Sequence, residues 1–506
     1  MLRKCFLPGL WLILTIALLV PVWGQRMLPL FDTPSHLALA RAWHSFSDPA
    51  YGIARHYSLS IEPVPYLFYY GFIHLLMYVA PIEIAHKLVL SIYLVAFPLS
   101  VAFLARAAGR NPWMALLVFP MTYSRAWGYG FIAYLLAIVC AIMAFAYLIR
   151  YTRSGSRKDL LGFFLAITST YFFHILPWAV TVLSSGIAIF VSGTSRKRVL
   201  VVAGAMVPCS LLLVWSSMLS KAKQAVFFDE TSTSTPLGIW EDWPARWDRF
   251  VGWSNDIVPG SLDTLVLSVL GLTLCVWVGL AWRDRNRQTQ EARIATRMLL
   301  AFLVSVAAGC FFLPYSLLRP VLIWSLSARL APLLVVALVV LPLVDVSGWR
   351  SWLMFPLALS NLVLLFQTAS LYRDFSRRNV NLLRLCDAIP TGKDVLVLTR
   401  GEPRESNVED PSDKVASLPA YRHVPSWPMA LRGGHSDRPF SQGIPVRPHV
   451  QQSYRWPNPD SFSLQYGPYF DYYILRGSAA DFDGSPRVTR VATRGQWSLF
   501  AHNPGN

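Results

Sequence analysis

Long apolar runs recur through the first 370 residues of the chain and constrain its fold more than any other feature. Each is long enough, at about 18 to 22 residues, to cross about 30 Å of hydrocarbon as a helix. Only 14% of the residues are charged, whereas soluble domains contain about 25%. The sequence therefore predicts a polytopic α-helical membrane protein with about 11 spans. These spans are 5–24, 86–105, 111–124, 129–149, 159–172, 175–192, 199–217, 262–282, 298–314, 325–344 and 351–370.

The net charge of +17 comes largely from basic clusters in short loops between apolar runs. Such clusters mark the cytoplasmic side of a membrane, and two predicted spans separate each cluster from the next. A basic face for nucleic acid would instead lie on a soluble domain among aromatic residues, so no nucleic-acid partner is expected. The first run is a retained anchor or a cleaved signal peptide, and many later spans favour the anchor. Both alternatives place residue 26 onward outside the cell, and the anchor leaves the N-terminus inside.

One apolar stretch, "PYLFYYGFIHLLMYVAP" at 65–81, does not fit this topology. Counting it as a span would move the later basic clusters to the outer side. It is also short and rich in tyrosine, a residue that prefers the membrane interface. We therefore predict an amphipathic helix that lies on the outer surface of the membrane.

The same topology divides the chain into a transmembrane domain, 1–370, and a polar C-terminal domain, 371–506. The transmembrane domain has two large outer loops, 25–85 and 218–260. In the C-terminal domain, the segments "KDVLVLTR", "YFDYYILRG" and "RVTRVATRGQWSLFAHN" look like short strands bounded by turn residues. An extracytoplasmic α/β or β-rich domain is expected there. The six cysteines are scattered and indicate neither a disulfide framework nor a metal site.

The segment "LPLFDTPSHLALARAW" places Asp32 and His36 one helical turn apart, directly after the first span. One interpretation makes Asp32 the N-cap of a helix that starts near Pro34. The other makes it a base for an acceptor hydroxyl at the outer face, with the helix lying along the interface. Glu62, in the same loop, is a second candidate carboxylate or a solvated acid.

Five elements of the chain share an order with a known family: "FDTPSHLALARAW", "IEPVPYLFYYGFIHLLMYVAP", "AHKLVLSIYLVAFPLSVAFLARAAGR", "MTYSRAWGYGFIAYLLAIVCAIMAFAYL" and "STYFFHILPWAV". They resemble the GT-C superfamily of membrane glycosyltransferases, which includes protein O-mannosyltransferases and the aminoarabinose transferases of lipid A. The likeness covers about residues 1–200 well, the later spans loosely and the C-terminal tail only in layout. It implies inverting transfer of a hexosyl or pentosyl group from a polyprenyl-phosphate donor. The acceptor would be a glycan, lipid or protein at the outer face of a bacterial inner membrane, and Asp32 would be the catalytic base.

Many members of that superfamily carry a second acidic motif in the next outer loop, often tied to a divalent metal. Here that loop, "MTYSRAWGYG", has no acid and contains Arg125, so a metal site is not assigned. Stabilisation of the leaving phosphate by arginine is expected instead, because guanidinium groups bind phosphate bidentately. Arg329 is the preferred ligand because a charge inside an apolar run needs a partner. His174 either hydrogen-bonds the sugar or phosphate or is a satisfied interfacial histidine.

Two other functions remain open at this stage. A polysaccharide polymerase or ligase would also act on lipid-linked glycans and would use the loop 218–260. That loop contains Trp240, Trp243, Trp247 and Trp253, which form either an interfacial belt or platforms for sugar rings. A transporter would need charged or unwound segments in the middle of the membrane, of which the sequence shows few.

Overall fold

The computed structural model describes most of the chain, and every structural statement below refers to the described residues. These are 2–224, 237–283, 289–318, 323–400, 414–415, 418–419, 421, 423–436, 446–449, 462–464 and 470–503.

The α-helices are α1 (Leu2–Trp23), α2 (Thr33–His44), α3 (Leu67–Leu76), α4 (Ile82–Ala107), α5 (Arg125–Gly128), α6 (Ile132–Ser154), α7 (Arg157–Phe173), α8 (Ile175–Val191), α9 (Arg196–Gln224), α10 (Trp243–Asn255), α11 (Leu262–Arg283), α12 (Gln290–Phe312), α13 (Ala331–Val340), α14 (Phe355–Cys386), α15 (Trp427–Arg432) and α16 (Ala480–Asp483). The strands are β1 (Tyr57–Leu59), β2 (Gly238–Ile239), β3 (Ser316–Leu317), β4 (Val395–Thr399), β5 (Lys414–Val415), β6 (Leu418–Pro419), β7 (Val446–Pro448), β8 (Tyr472–Arg476), β9 (Val488–Arg494) and β10 (Trp497–His502).

Seven of the described helical segments are long and apolar enough to cross a membrane. They match seven of the predicted spans, so the chain is a polytopic helical membrane protein. The segments are Phe6–Trp23, Ile82–Ala107, Ile132–Ser154, Arg196–Ser216, Leu262–Arg283, Gln290–Phe312 and Gly348–Cys386.

The other four predicted spans are shorter helices in the structure. The predicted span 111–124 forms the 3-10 helix Pro112–Thr122, and the span 325–344 forms a 3-10 turn followed by α13. The spans 159–172 and 175–192 form α7 and α8, each of 17 residues and therefore about 26 Å long. Helix length and apolar character alone thus support seven spans, fewer than the total predicted from the apolar runs.

The apolar stretch 65–81 forms α3, a helix of ten residues. Its length of about 15 Å is half the thickness of the hydrocarbon core, in agreement with the prediction that this stretch does not span. Tyr66 precedes α3 in the left-handed backbone region, and Pro81 precedes α4.

Helix α2, which the sequence predicts to lie along the membrane interface, is a core element that other parts of the chain cover. Its apolar side chains Leu37, Leu39 and Ala40 are fully buried. Helix α3 packs on it, and α15 of the C-terminal region covers it as well. The sequence pattern could not reveal this cover, because α15 lies almost 400 residues further along the chain.

The predicted strands of the C-terminal region are confirmed as a four-stranded mixed sheet in the order β4-β8-β10-β9. Strands β4 and β8 are parallel, and the other two pairs are antiparallel. Alternate side chains of β4 face opposite sides. Leu396 and Leu398 enter a core of the C-terminal region, while Val395 and Val397 join the core shared with the membrane helices.

The C-terminal region is continuous with the rest of the fold. The predicted domain boundary at residue 370 falls inside α14, which runs unbroken for 32 residues. Strand β7 pairs with β1 of the loop 25–85, and Arg41 of α2 donates to the Ala430 carbonyl at 3.0 Å. Residues 371–503, where described, are therefore held against the first loop.

Candidate functional site

Asp32 occupies the N-cap position of α2, with Pro34 in the first turn, but its side chain makes no capping hydrogen bond. The capping interpretation therefore explains the position of this residue and not its carboxylate. Only 8% of the residue is exposed. Its backbone N–H donates to the Tyr129 carbonyl at 2.9 Å. One carboxylate oxygen, Oδ1, lies 3.2 Å from Nε2 of His423.

Gly130 explains how the loop before α6 approaches the start of α2 so closely. Its φ of +75° lies in the left-handed region that glycine adopts without strain. A Cβ at this position would lie 2.9 Å from Thr33 Oγ1 and 3.3 Å from the Asp32 nitrogen. The second glycine of "WGYG" thus permits the backbone contact that fixes Asp32.

His423 is a site residue that the sequence did not predict. It lies in the polar C-terminal region, where no motif distinguishes it from other histidines. In the structure it is 5% exposed, and the edge of its ring packs against Phe31 with the centroids 5.2 Å apart. The only signal that could have found it is its contact with Asp32, which requires the fold.

Arg329 is buried close to this carboxylate. It lies in the 3-10 turn Ala328–Leu330, is 8% exposed, and places its guanidinium 4.2 Å from the centre of the Phe131 ring. Its Nε has no hydrogen-bond partner among the described residues. Its charge interacts with those of Asp32, Tyr66, Tyr134 and Tyr315 when these groups are ionised. The Tyr129 carbonyl accepts the Asp32 N–H, and Phe131, two residues later, lies against the Arg329 guanidinium, so the structure places the predicted base and the predicted phosphate ligand in the same region.

Phenol groups from α3 and the residue before it complete this site, which we call the acid–arginine site (Asp32, Tyr66, Tyr69 and Arg329). Burial raises the pKa of Tyr69, and the negative charge of Asp32 raises it further. Burial also raises the pKa of Tyr66, with Arg329 opposing the shift. The Tyr69 hydroxyl is buried and has no hydrogen-bond partner among the described residues. Both phenols therefore stay protonated and can donate a hydrogen bond.

Backbone strain concentrates around Arg329. In the described part of the chain, Tyr66 and Ser325 are the two non-glycine residues with positive φ, at 73° and 52°. Tyr66 interacts electrostatically with Arg329, and the Ser325 carbonyl accepts the Arg329 backbone N–H at 3.1 Å. Such conformations cost about 1–3 kcal/mol each and occur preferentially at functional sites.

His36 and His174 lie beside the acid–arginine site and contact its neighbours. The Nδ1 of His36 is 2.7 Å from the Tyr70 hydroxyl, and burial lowers the pKa of this histidine to about 4. His174 is the N-cap of α8, where its Nδ1 accepts the Leu176 N–H at 3.1 Å. The edge of the His174 ring packs against Tyr66, with the centroids 5.1 Å apart. His174 therefore has a capping role whatever else it binds.

Arg125 forms an ion pair that the sequence did not predict. Its Nη1 lies 3.1 Å from Oδ2 of Asp256, which follows α10 in the loop 218–260. Its own loop lacks an acid, and the distant loop supplies one. Next to this pair, Trp253 is buried and stacks on Tyr129, with the ring centroids 5.4 Å apart. The other three tryptophans of the loop 218–260, Trp240, Trp243 and Trp247, are exposed.

Glu62 lies between β1 and α3, and its carboxylate joins the loop 25–85 to the C-terminal region. Its Oε2 is 3.0 Å from Arg447 Nη2, and its Oε1 accepts from the Ser60 hydroxyl at 2.9 Å. These contacts give Glu62 a structural role next to the β1–β7 pair. Among the described residues, no group of three or more His, Cys, Asp and Glu side chains is placed to hold a metal ion.

The fold and this geometry define a class, a polytopic helical membrane protein with a buried carboxylate and a buried arginine in one site. A comparison with known families found none whose model matches the chain, and a search of curated proteins found no significant match. The function is therefore argued from the residues of the site.

Proposed function

We propose that the protein is an inverting glycosyltransferase that moves a sugar from a polyprenyl-phosphate donor to a hydroxyl acceptor. The reaction would occur at the outer face of a bacterial inner membrane, with the N-terminus inside and residues 371–506 outside. One observation carries the proposal. Asp32 and Arg329 are both more than nine-tenths buried, and both contact the segment 129–131: the Tyr129 carbonyl accepts the Asp32 N–H at 2.9 Å, and the Arg329 guanidinium lies 4.2 Å from the centre of the Phe131 ring.

Asp32 would act as the general base. The acceptor oxygen attacks the anomeric carbon, and its proton passes to the carboxylate. The bond between this carbon and the phosphate oxygen breaks, and its electron pair stays on the phosphate. The products are a glycoside of inverted configuration and a polyprenyl phosphate. A buried carboxylate suits this step, since few water molecules compete for the acceptor position.

Arg329 would stabilise the phosphate that leaves. A buried guanidinium is costly unless an anion compensates its charge, and a phosphate offers several oxygens to its N–H groups. The unpaired Nε and the ring of Phe131 beneath the guanidinium support a site prepared for an anion. The Tyr66 and Tyr69 hydroxyls would donate to the sugar or the phosphate. The apolar helices around the site would hold the prenyl chain among the membrane lipids.

The test begins with a strain that lacks the gene, whose surface glycans, lipids and glycoproteins are compared with those of the parent by mass spectrometry. The missing product is then the readout for complementation. The wild-type chain is expected to restore this product, and Asp32→Asn is expected to abolish it while inserting normally. The matched control is Asp48→Asn in the same loop, because asparagine also caps the short helix after residue 48. Restoration by Asp32→Asn would refute the proposal.

A further inference from the structure

Asp32 is the first member of a chain of buried polar contacts that ends in the C-terminal region. His423 Nε2 lies 3.2 Å from Asp32 Oδ1, and the other ring nitrogen, Nδ1, lies 2.8 Å from the Ser35 hydroxyl. The Ser35 hydroxyl is in turn 3.1 Å from that of Ser426. All four residues are at least nine-tenths buried. Asp32 and Ser35 lie at the N-terminal end of α2, and His423 and Ser426 lie in the segment before α15.

On the basis of the proposed function, we propose that His423 is a positioning residue for the base Asp32, supplied by the C-terminal region. With Nδ1 accepting the Ser35 hydroxyl, the neutral ring carries its proton on Nε2 and donates it to Asp32 Oδ1. This hydrogen bond stabilises the carboxylate form and fixes its rotamer.

The geometry favours this role over that of a satisfied core histidine. One ring nitrogen contacts the carboxylate proposed to react, and the other is held by the Ser35 hydroxyl, so the ring is oriented toward the base from both sides. The Phe31 ring at its edge restricts rotation of the imidazole. Arg41 also ties α15 to α2 at the Ala430 carbonyl, which keeps the segment bearing His423 in register with Asp32.

The test measures the rate at which the deletion strain, complemented with each variant, forms the missing product over a range of external pH. His423→Ala is expected to lower the maximal rate about 10- to 100-fold, the loss typical of a hydrogen bond to a charged group. Its acid limb should also move to higher pH, because a carboxylate that loses an N–H donor is protonated more easily. His423→Gln keeps an N–H near the position of Nε2 and should restore much of the rate and the original acid limb.

A purely structural role predicts a different pattern, in which both variants lose rate equally and the acid limb does not move. That result would overturn the inference. If His423→Ala does not accumulate in the membrane, His423→Gln and Ser35→Ala carry the test. Ser35→Ala releases Nδ1 and should shift the acid limb in the same direction. Product formation by Asp32→Asn would refute the proposed function. If Asp32→Asn is inactive but the acid limb of the His423 variants does not move, only the inference about His423 is refuted.

Discussion

Arg125 Nη1 lies 3.1 Å from Asp256 Oδ2, and this ion pair ties the short loop before α6 to the loop that carries α10. Both side chains are mostly buried, at 17% and 26% exposed. Helix α10 also packs on α5, so the pair closes one side of the region that contains Tyr129 and Asp32.

Asp256→Asn should destabilise the protein, because it leaves the Arg125 charge without its carboxylate. The expected cost is about 1–3 kcal/mol, the range for a lost partner of a partly buried charged group. This loss of stability is measured as a fall in the thermal midpoint of the detergent-purified protein. The control is Asp242→Asn, since asparagine also caps α10. The double variant Arg125→Asp with Asp256→Arg restores opposite charges and should recover part of the lost thermal stability. If Asp256→Asn leaves the thermal midpoint unchanged, the ion pair does not stabilise the protein.

Arg329→Met should separate activity from stability. Methionine fills a similar volume but removes the positive charge that faces the buried Asp32 carboxylate, so the thermal midpoint is expected to fall moderately, and activity is compared at equal amounts of folded protein. Product formation should fall about 10²- to 10³-fold, as expected when a preorganised group for the developing phosphate charge is removed. Arg329→Lys keeps the charge without the bidentate geometry and should retain intermediate activity. Equal activity in all three proteins would exclude a role in phosphate binding.

The stability of the protein should fall as the pH drops from about 6.5 to about 4. Burial lowers the pKa of His36 and of His435 to about 4. In the unfolded chain these histidines titrate near their ordinary value of about 6.5. Between the two values the unfolded state binds protons that the folded state does not, which favours unfolding.

Thermal midpoints at pH 7.5 and pH 5 check this expectation. His435→Asn removes one titrating ring and keeps a polar group beside Tyr57, whose hydroxyl lies 2.9 Å from His435 Nδ1. The variant should lose less stability on acidification than the wild type. An identical loss in both proteins would show that His435 does not contribute.

Gly130→Ala should displace the start of α2 and reduce product formation. The added Cβ meets the backbone and side chain of Thr33 at 2.9 to 3.1 Å, and it also forces alanine into the left-handed region. Gly193→Ala is the matched control, because Gly193 has a similar φ of +68° and no atom within 4 Å of the added Cβ. Both variants incur about 1–2 kcal/mol of backbone strain. Gly130→Ala should lose more stability, and equal losses would mean that the contact with Thr33 relaxes without cost.

Periodic features of the sequence predicted much of the fold. Apolar runs gave the seven long spans, and short segments bounded by turn residues at 393–400, 469–477 and 487–503 gave the strands of the C-terminal sheet. Short apolar runs were harder, because the predicted spans 111–124 and 325–344 contain helices of only 11 and 10 residues. The burial of α2 under α15 depended on a segment too distant in sequence for local patterns to reveal.

The candidate site was predicted in part. Asp32 and Arg329 stood out because a charge beside or inside an apolar run needs an explanation, and in the structure both contact the segment 129–131. The partners of Asp32 and Arg125, which are His423 and Asp256, come from polar segments in which any acid or histidine looks alike. Pairing across such distances is set by tertiary packing and leaves no local signal.

The length of helix α14 affects how α15 is attached to the membrane-spanning part of the chain. Its 32 residues measure about 48 Å, against about 30 Å of hydrocarbon, so its last turns project beyond the bilayer. Arg432 Nε donates to the Cys386 carbonyl at 3.0 Å and so fastens α15 to that projecting end. A membrane of different thickness changes the tilt of such a rod. Because α15 is held to α14 through Arg432, a change in the tilt of α14 would act on α15 as well.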